Sequence, residues 1–197
     1  MPELPEVETL RRDLAGKLVG QRIGEVYVLW PDCLQSCSPR DFARYLERQR
    51  IDALRRRGKY LIFELQGGRV LIFHLGMSGR LLLGGQSQGP GKYTRLILEL
   101  DGQQELRFDD TRKLGRVYLV RNIEAVVGKL GPEPLGKGFS AEVLCSLLEG
   151  RRRRLKPLLL NQQFLAGLGN IYTDEALFEA ALHPGTRACN LDKGEIE

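Results

Sequence analysis

The sequence of 197 residues is poor in the side chains that build most metal and nucleophilic sites. It contains four cysteines, two histidines and one tryptophan. No cysteines form a C-x-x-C pair, and Cys33 and Cys37 have no second pair or histidine nearby, so a complete zinc site is not encoded. Two histidines also leave too few for His-based metal sites or Ser-His-Asp triads. The cysteines are expected to be reduced thiols of a cytosolic protein.

Long hydrophobic runs are also missing. No stretch approaches the roughly 18 apolar residues that a spanning helix needs, which excludes a membrane protein. Three glutamates in the first ten residues make a secretory signal unexpected. With 42% hydrophobic and 28% charged residues the chain is typical of a soluble globular protein of one or two domains. Its net charge of +5 is weakly indicative of a polyanionic partner.

The hydrophobic pattern predicts a helix, then a β-rich region. Residues 6–19 show helical spacing, and a second helix is predicted at 41–49. Short runs between turn signals are typical of a β-sandwich or barrel, and 84–91 is predicted to be a loop. The predicted strands are 22–29, 51–55, 59–65, 69–75, 80–83, 94–100, 104–108 and 115–120.

The Gly-Pro-Glu-Pro segment at 131–134 indicates a domain boundary. Helical spacing returns after it, at 140–149, 156–160 and 171–181. We therefore expect an N-terminal domain at 1–130 and a helical domain at 131–197, an α+β fold class. The tail at 190–197 has the pattern of a helix start, from which a further C-terminal part is expected.

The first candidate for chemistry is the N-terminal Pro2-Glu3 pair. Removal of Met1 would leave Pro2 with a free secondary amine, a nucleophile able to form an iminium with a sugar aldehyde carbon. Its ordinary pKa near 8 leaves part of it unprotonated at neutral pH. Glu3 could move protons beside it. An ordinary lead-in to a helix explains the same residues.

Basic residues cluster twice, at 48–59 and at 151–156. Such clusters suit phosphate binding, although a solvated surface explains either run alone. Lys59 differs from its neighbours because it follows Gly58 and precedes an apolar strand, where a lysine can point into a cleft.

Two glycine-rich segments complete the candidates. Gly76-Met77-Ser78-Gly79 would expose Met77 at a loop tip, where an apolar side chain can enter a base stack; a core role is the alternative. The Gly167-Leu168-Gly169-Asn170 segment opens a helix, as in a helix–two-turn–helix phosphate clamp. A plain connection between helices has the same pattern.

Several blocks of the sequence resemble bacterial formamidopyrimidine-DNA glycosylase, the repair enzyme for 8-oxoguanine. The resemblance covers the whole chain, and the N-terminal block is specific enough to separate this family from the endonuclease VIII branch. The blocks are Met-Pro-Glu-Leu-Pro-Glu-Val-Glu-Thr at the start, Arg57-Gly-Lys-Tyr-Leu, His74-Leu-Gly-Met-Ser-Gly, Asp110-Thr-Arg-Lys-Leu-Gly, Gly131-Pro-Glu-Pro-Leu and Leu168-Gly-Asn-Ile-Tyr-Thr-Asp-Glu-Ala-Leu-Phe.

The resemblance implies a fold and a set of residue roles. The fold is an N-terminal helix with a β-sandwich, followed by a helix–two-turn–helix domain. Pro2 corresponds to the nucleophile that attacks C1′, Glu3 to its acid/base partner and Lys59 to the lysine of β-elimination. Met77 and Arg112 correspond to residues that fill the gap left by the flipped base. The positions associated with DNA contact are His74, Tyr93, Arg112, Arg151, Lys156 and Asn170.

The chain departs from the family pattern at three places. Tyr93 stands where a histidine is frequent but can still donate a hydrogen bond, and Leu114 stands where an aromatic wedge is usual. The C-terminal zinc ribbon, with its four cysteine ligands, is not in these 197 residues. Zinc is therefore expected only in a longer form, and no cofactor is expected within this chain.

The sequence thus predicts a bacterial, cytoplasmic, monomeric enzyme of base excision repair. It would remove oxidised purines from double-stranded DNA and cleave the resulting abasic site. Two alternatives stay open. One is a damaged-DNA or abasic-site binder without catalysis, and the other is a glycosylase of the same mechanism that prefers oxidised pyrimidines.

Overall fold

The computed structural model describes residues 2–85 and 89–196. Met1, Glu197 and the middle of the predicted loop at 84–91 lie outside the described residues. The chain divides into two compact units, residues 1–128 and 129–197. No helix in the described ranges is both long and apolar enough to cross a bilayer.

The first unit combines a long N-terminal helix with two antiparallel four-stranded sheets. The helices are α1 (Leu4–Leu18), α2 (Pro39–Leu46) and α3 (Glu124–Val127). The strands are β1 (Ile23–Val28), β2 (Ile51–Arg57), β3 (Tyr60–Leu65), β4 (Val70–His74), β5 (Gly79–Gly85), β6 (Thr94–Leu100), β7 (Gln104–Asp110) and β8 (Arg116–Val120). The predicted sandwich is confirmed, because one sheet has the order β1-β6-β7-β5 and the other β2-β3-β4-β8.

One hydrophobic core fills the space between the two sheets. Alternate residues of each strand point into it, as the period of two requires. Phe73 of the second sheet contacts Phe63 on its neighbouring strand and Phe108 of the first sheet, with ring centroids 5.4 and 5.6 Å apart. All three rings are fully buried. Helix α1 adds Val7, Leu14 and Leu18 to the same core, so its N-terminus is fixed against the sandwich.

The second unit is helical. Its helices are α4 (Ala141–Leu148), α5 (Leu155–Leu159), α6 (Asn170–Glu179) and α7 (Lys193–Ile196). Ser140 begins α4, and its side chain accepts a hydrogen bond from the Val143 N–H at 3.4 Å. A separate core joins α4, α5 and α6 through residues such as Leu148, Leu158 and Leu177.

Candidate active site and DNA-contact residues

The Pro2-Glu3 pair lies at the start of α1. Pro2 is half-buried, and Glu3 is the N-cap residue of the helix with only 1% of its surface exposed. The backbone N–H of Glu3 donates to the Glu6 carboxylate at 2.8 Å, which holds the first turn closed. The burial of Glu3 next to Pro2 and its capping box with Glu6 fit an ordinary helix start as well as a chemical role.

Lys59 is buried in the same unit and carries the opposite charge. It is 9% exposed and immediately precedes β3. Burial lowers the pKa of Lys59, while the negative charge of Glu3 opposes part of that shift. The two predicted catalytic side chains are thus electrostatically coupled. Buried ionisable groups with a specific charge partner are a frequent signature of active sites.

Arg56 connects the helix that carries Glu3 to the turn that carries Lys59. Its Nε donates to Glu8 of α1 at 3.1 Å, and its Nη1 donates to the carbonyl of Gly58 at 3.0 Å. Hydrogen bonds from Arg11, Arg12 and Arg56 lower the pKa of Glu8 from 4.5 to about 2. Sequence reasoning treated Arg56 only as a member of a basic run, whereas the structure gives it a role inside the protein.

Other arginines of the run at 48–59 are also paired with carboxylates. Arg50 contacts Asp52 at 2.9 Å, and Arg55 contacts Glu64 at 2.8 Å. Such pairs reduce the charge available for phosphates. The run is therefore less of an open basic patch than its composition indicates.

His74 lies in the middle of a row of polar side chains across the second sheet. Tyr60, His74 and Arg116 are direct neighbours on β3, β4 and β8. The rings of Tyr60 and His74 have centroids 4.8 Å apart. Burial, followed by the positive charges of Lys59 and Arg116, lowers the pKa of His74, so the imidazole is neutral at neutral pH. A neutral, partly buried imidazole can donate one hydrogen bond to a phosphate oxygen.

Met77 and Arg112 lie on two adjacent loops of the first unit. Residues 75–78, between β4 and β5, form the tip loop, and residues 111–115, between β7 and β8, form the arginine loop. Met77 is 43% exposed, which excludes the core role that the sequence left open. Gly76 has φ +61°, and a Cβ there would lie 2.7 Å from the Leu114 carbonyl carbon. Only glycine lets the two loops approach this closely.

Asp110 holds both loops, and sequence reasoning gave it no role. It is fully buried at the end of β7, and its carboxylate accepts hydrogen bonds from the Ser78 hydroxyl, from the Arg112 N–H at 3.2 Å and from the Gly115 N–H at 2.7 Å. Burial alone would raise the pKa of Asp110, but these bonds and one from Leu114 outweigh it and lower the pKa. The carboxylate is therefore ionised at neutral pH.

Tyr93 and Leu114, the two departures from the family pattern, are both exposed. Tyr93 is 44% exposed, and the Lys92 ammonium lies 5.6 Å from the centroid of its ring. The Tyr93 carbonyl accepts from the Asp110 N–H at 2.9 Å, which ties this segment to β7. Leu114 is 42% exposed on the arginine loop. Both side chains can reach a partner outside the protein.

In the second unit, Asn170 is the first residue of α6 and is exposed. The glycine-rich turn before it is held by the side chain of Gln162. Its Nε2 donates to the Leu168 carbonyl at 2.7 Å, and its Oε1 accepts from the Gly167 N–H at 2.9 Å. Gly167 has φ +105°, which favours glycine. The dipole of a helix favours negative charge at its N-terminus, so this turn is a candidate phosphate site.

Arg151 and Lys156 lie before and within α5. Arg151 is exposed, and its guanidinium lies 5.9 Å from the Phe164 ring centroid. The Lys156 ammonium forms an ion pair with Asp174 of α6 at 2.8 Å. Lys156 is thus partly engaged within its own unit.

The cysteines present do not provide a zinc site. All four are free thiols, and Cys33 is fully buried in the core of the first unit, where burial raises its pKa to about 11. Within 2–85 and 89–196, no group of three or more His, Cys, Asp or Glu side chains could hold a metal ion. The residues described here therefore do not fit the zinc ribbon of the family.

Comparison with known proteins agrees with this arrangement in both units. The Formamidopyrimidine-DNA glycosylase N-terminal domain matches residues 1–117, and the Formamidopyrimidine-DNA glycosylase H2TH domain matches residues 130–197. Formamidopyrimidine-DNA glycosylase of Desulfitobacterium hafniense is 44% identical over 100% of this chain and 73% of its own length. The Protochlamydia amoebophila enzyme is 44% identical over 93% of this chain and 67% of its own length.

Solved structures with the same fold come from Lactococcus lactis. Its formamidopyrimidine-DNA glycosylase in complex with Fapy-dG-containing DNA has a TM-score of 0.91 and 34% identity, over 98% of this chain and 74% of that chain. The complex with DNA containing an abasic site gives a TM-score of 0.91 and 34% identity, over 98% and 72%. With domain matches in both units and these relatives along nearly its whole length, the chain belongs to the formamidopyrimidine-DNA glycosylase family.

Proposed function

We propose that this chain is a bifunctional base excision repair enzyme. It removes oxidised purines such as 8-oxoguanine and formamidopyrimidines from double-stranded DNA, and then cleaves the strand at the abasic site. The observation that carries the proposal is the burial of Glu3 at the start of α1, next to Pro2, and of Lys59 just before β3, where the charge of Glu3 acts on the Lys59 ammonium. Relatives of this family were solved with Fapy-dG-containing DNA and with DNA containing an abasic site, which supports the substrate class.

The first chemical step is an attack by the Pro2 nitrogen. Without Met1, the Pro2 secondary amine bonds to C1′ of the damaged nucleotide, and the glycosidic bond breaks with the electron pair leaving on the base. Opening of the sugar ring gives an iminium between Pro2 and the sugar. Glu3 moves protons to the leaving base or to the sugar ring oxygen.

The second step is β-elimination. A proton leaves C2′ of the iminium sugar, and the bond from C3′ to the phosphate oxygen breaks, with the phosphate as leaving group. Lys59 is the residue proposed for this step, and its lowered pKa makes the neutral amine more accessible than in a free lysine. Water then releases Pro2 by hydrolysis of the iminium.

The remaining predicted residues bind the DNA. Met77 and Arg112 fill the gap that the extruded nucleotide leaves, since a base must leave the stack before its glycosidic bond can be reached. His74, Tyr93, Arg151, Lys156 and the helix start at Asn170 contact the backbone. The enzyme is proposed to act as a monomer in the bacterial cytoplasm, on nucleoid DNA.

Borohydride trapping tests the mechanism. Protein shown by mass spectrometry to lack Met1 is incubated with an 8-oxoguanine duplex and borohydride, and the cross-linked species is measured on a denaturing gel. Wild type and the control Pro5→Ala should both cross-link, and mass spectrometry of the digested adduct should place the DNA on the Pro2 nitrogen. Pro5 lies in the first turn of the same helix, so Pro5→Ala controls for disturbance of α1.

Three outcomes would overturn the proposal. A cross-link that maps to a residue other than Pro2 contradicts the nucleophile. Tight binding to a tetrahydrofuran-containing duplex, with no nicking of an abasic-site duplex after long incubation, would identify a binder without catalysis. Faster turnover on a thymine-glycol duplex than on an 8-oxoguanine duplex would identify an enzyme that prefers oxidised pyrimidines.

A further inference from the structure

Asp110 is buried beneath the two loops whose tips the proposed function brings to the DNA. The side chain is fully buried, yet the residues around it include exposed Met77, Arg112 and Leu114. A buried carboxylate is costly unless hydrogen-bond donors surround it. The hydrogen-bond donors around the Asp110 carboxylate therefore show which segments of the chain it holds in place.

The partners of Asp110 come from both loops. Ser78 of the tip loop donates its hydroxyl to the carboxylate, and the same hydroxyl oxygen accepts from the Arg112 N–H at 3.0 Å. The Arg112 and Gly115 N–H groups of the arginine loop donate directly to the carboxylate. One side chain thus holds the backbone at Arg112 and Gly115 in the arginine loop and the side chain of Ser78 in the tip loop.

Backbone conformation supports the same conclusion. Lys113 has φ +57°, a left-handed conformation that a non-glycine residue adopts only at a cost. The hydrogen bonds from Arg112 and Gly115, on either side of it, hold this turn in place. On the other side, the tip loop packs against the arginine loop at Gly76, where a Cβ would overlap the Leu114 backbone. Neither loop can move far unless the other moves.

We propose that Asp110 is a positioning residue that couples the tip loop to the arginine loop, so that Met77 and Arg112 enter the base stack as one unit. Asp110 itself is buried and does not touch the DNA. The inference rests on the proposed function of Met77 and Arg112. It assigns the coupling to one carboxylate, because the bonds from the Ser78 hydroxyl and from the Arg112 and Gly115 N–H groups all converge on this acceptor-only group.

Asp110→Asn tests the coupling with almost no change in shape. The amide keeps one acceptor but turns the other position into a donor, which faces N–H or O–H donors. Asp109→Asn is the matched control, since Asp109 is the next residue on β7 and its Oδ1 accepts no hydrogen bond from the described residues. Ser78→Ala removes the two bonds of the hydroxyl but keeps the carboxylate, and it provides a second variant if Asp110→Asn folds poorly.

The first readout is the emission of Trp30, the single tryptophan of the sequence. The Lys113 ammonium lies 5.5 Å from the centroid of its ring, so Trp30 reports the position of the arginine loop. Asp110→Asn and Ser78→Ala should both change this emission in the folded protein, and Asp109→Asn should not. Unchanged emission in both variants would overturn the coupling, whatever the protein does with DNA.

The second readout is kcat/KM on the 8-oxoguanine duplex in two backgrounds. In the wild-type background, Asp110→Asn should lower kcat/KM by on the order of tenfold to a hundredfold, as a misplaced positioning group does. In a Met77→Ala/Arg112→Ala background, the same change should alter it by less than about twofold, because the residues it positions are gone. An equal loss in both backgrounds would overturn the proposal and assign Asp110 to the fold alone.

The two readouts separate failure of the loop coupling from failure of the proposed function. If wild type neither cross-links nor turns over substrate, the proposed function fails, and the emission of Trp30 still decides the coupling. If wild type is active but Met77→Ala/Arg112→Ala is as active, the roles of Met77 and Arg112 are wrong. In that case the coupling no longer serves the reaction, and the proposal is overturned.

Discussion

Replacing Arg56 with alanine should destabilise the first unit far more than replacing its neighbour Arg55. The Arg56 side chain is 7% exposed and donates to both Glu8 and Gly58. The Arg55 side chain is 67% exposed and pairs with Glu64, which is itself 36% exposed. The two arginines are adjacent in one strand, so the pair of variants compares burial at equal composition and charge.

The loss in free energy of unfolding follows from the groups that lose a partner in each variant. Removing one partner of a buried ion pair costs about 3–5 kcal/mol when the other charge is orphaned. Glu8 keeps hydrogen bonds from Arg11 and Arg12 in Arg56→Ala, which reduces that cost. The Gly58 carbonyl loses a donor, which adds about 1 kcal/mol. We therefore expect about 2–3 kcal/mol for Arg56→Ala, and less than about 1 kcal/mol for Arg55→Ala, the range of exposed pairs.

Urea denaturation followed by Trp30 emission measures the difference. Trp30 packs against the core of the first unit, so its signal reports the unfolding of that unit and not of the helical one. Similar free energies of unfolding for Arg55→Ala and Arg56→Ala would refute the reasoning, because the buried Arg56–Glu8 pair would then stabilise the unit no more than an exposed pair. Arg56→Lys, which keeps the charge but reaches only one partner well, should fall between the two.

Three further changes have defined outcomes. Burial lowers the pKa of Lys59 below its value of 10.5 in the unfolded chain, so the ammonium costs folding free energy at neutral pH. Lys59→Met should therefore raise the free energy of unfolding at neutral pH, and this gain should vanish as the pH rises toward 10.5. Urea denaturation across pH measures it. Gly76→Ala should lower the thermal midpoint by several degrees, while Gly84→Ala, which meets open space, should not. Asp174→Asn should release Lys156 from its ion pair and lower the Kd for an abasic-site duplex a few-fold at low salt. The difference in Kd should shrink as salt is added. Unchanged affinity would show that Lys156 is not a phosphate contact.

Much of the fold could be predicted from local pattern. All eight predicted strands are present, because period-two alternation and turn residues are properties of short segments. The polar run Arg55-Arg56-Arg57 shows where such reasoning stops. Three consecutive arginines carry no alternation, so nothing in the run indicates that the middle one faces the core side with Leu61 on the next strand.

The candidate site could be predicted only where side chains carry the chemistry. Pro2, Glu3 and Lys59 stand out by residue type and by resemblance. Asp110 and Gln162 do not, because their partners include backbone N–H and carbonyl groups of residues several positions along the chain. A side chain that bonds to backbone leaves no complementary residue type in the sequence, so such positioning roles become visible only in three dimensions.

The strand order also constrains how the first unit can fold. The β2-β3-β4 part of the second sheet joins strands that follow one another directly along the chain, so its contacts close short loops. In contrast, β1 pairs with β6, so Ile23 can pair with Leu100 only after most of the unit has been synthesised. Closing that long loop carries the larger entropic cost and slows folding. Helix α1, which carries the proposed nucleophile Pro2, is bonded to β2 through Glu8 and Arg56, so its anchoring does not have to wait for β1. Closure of the β1–β6 pair is then the step expected to set the folding rate of this unit.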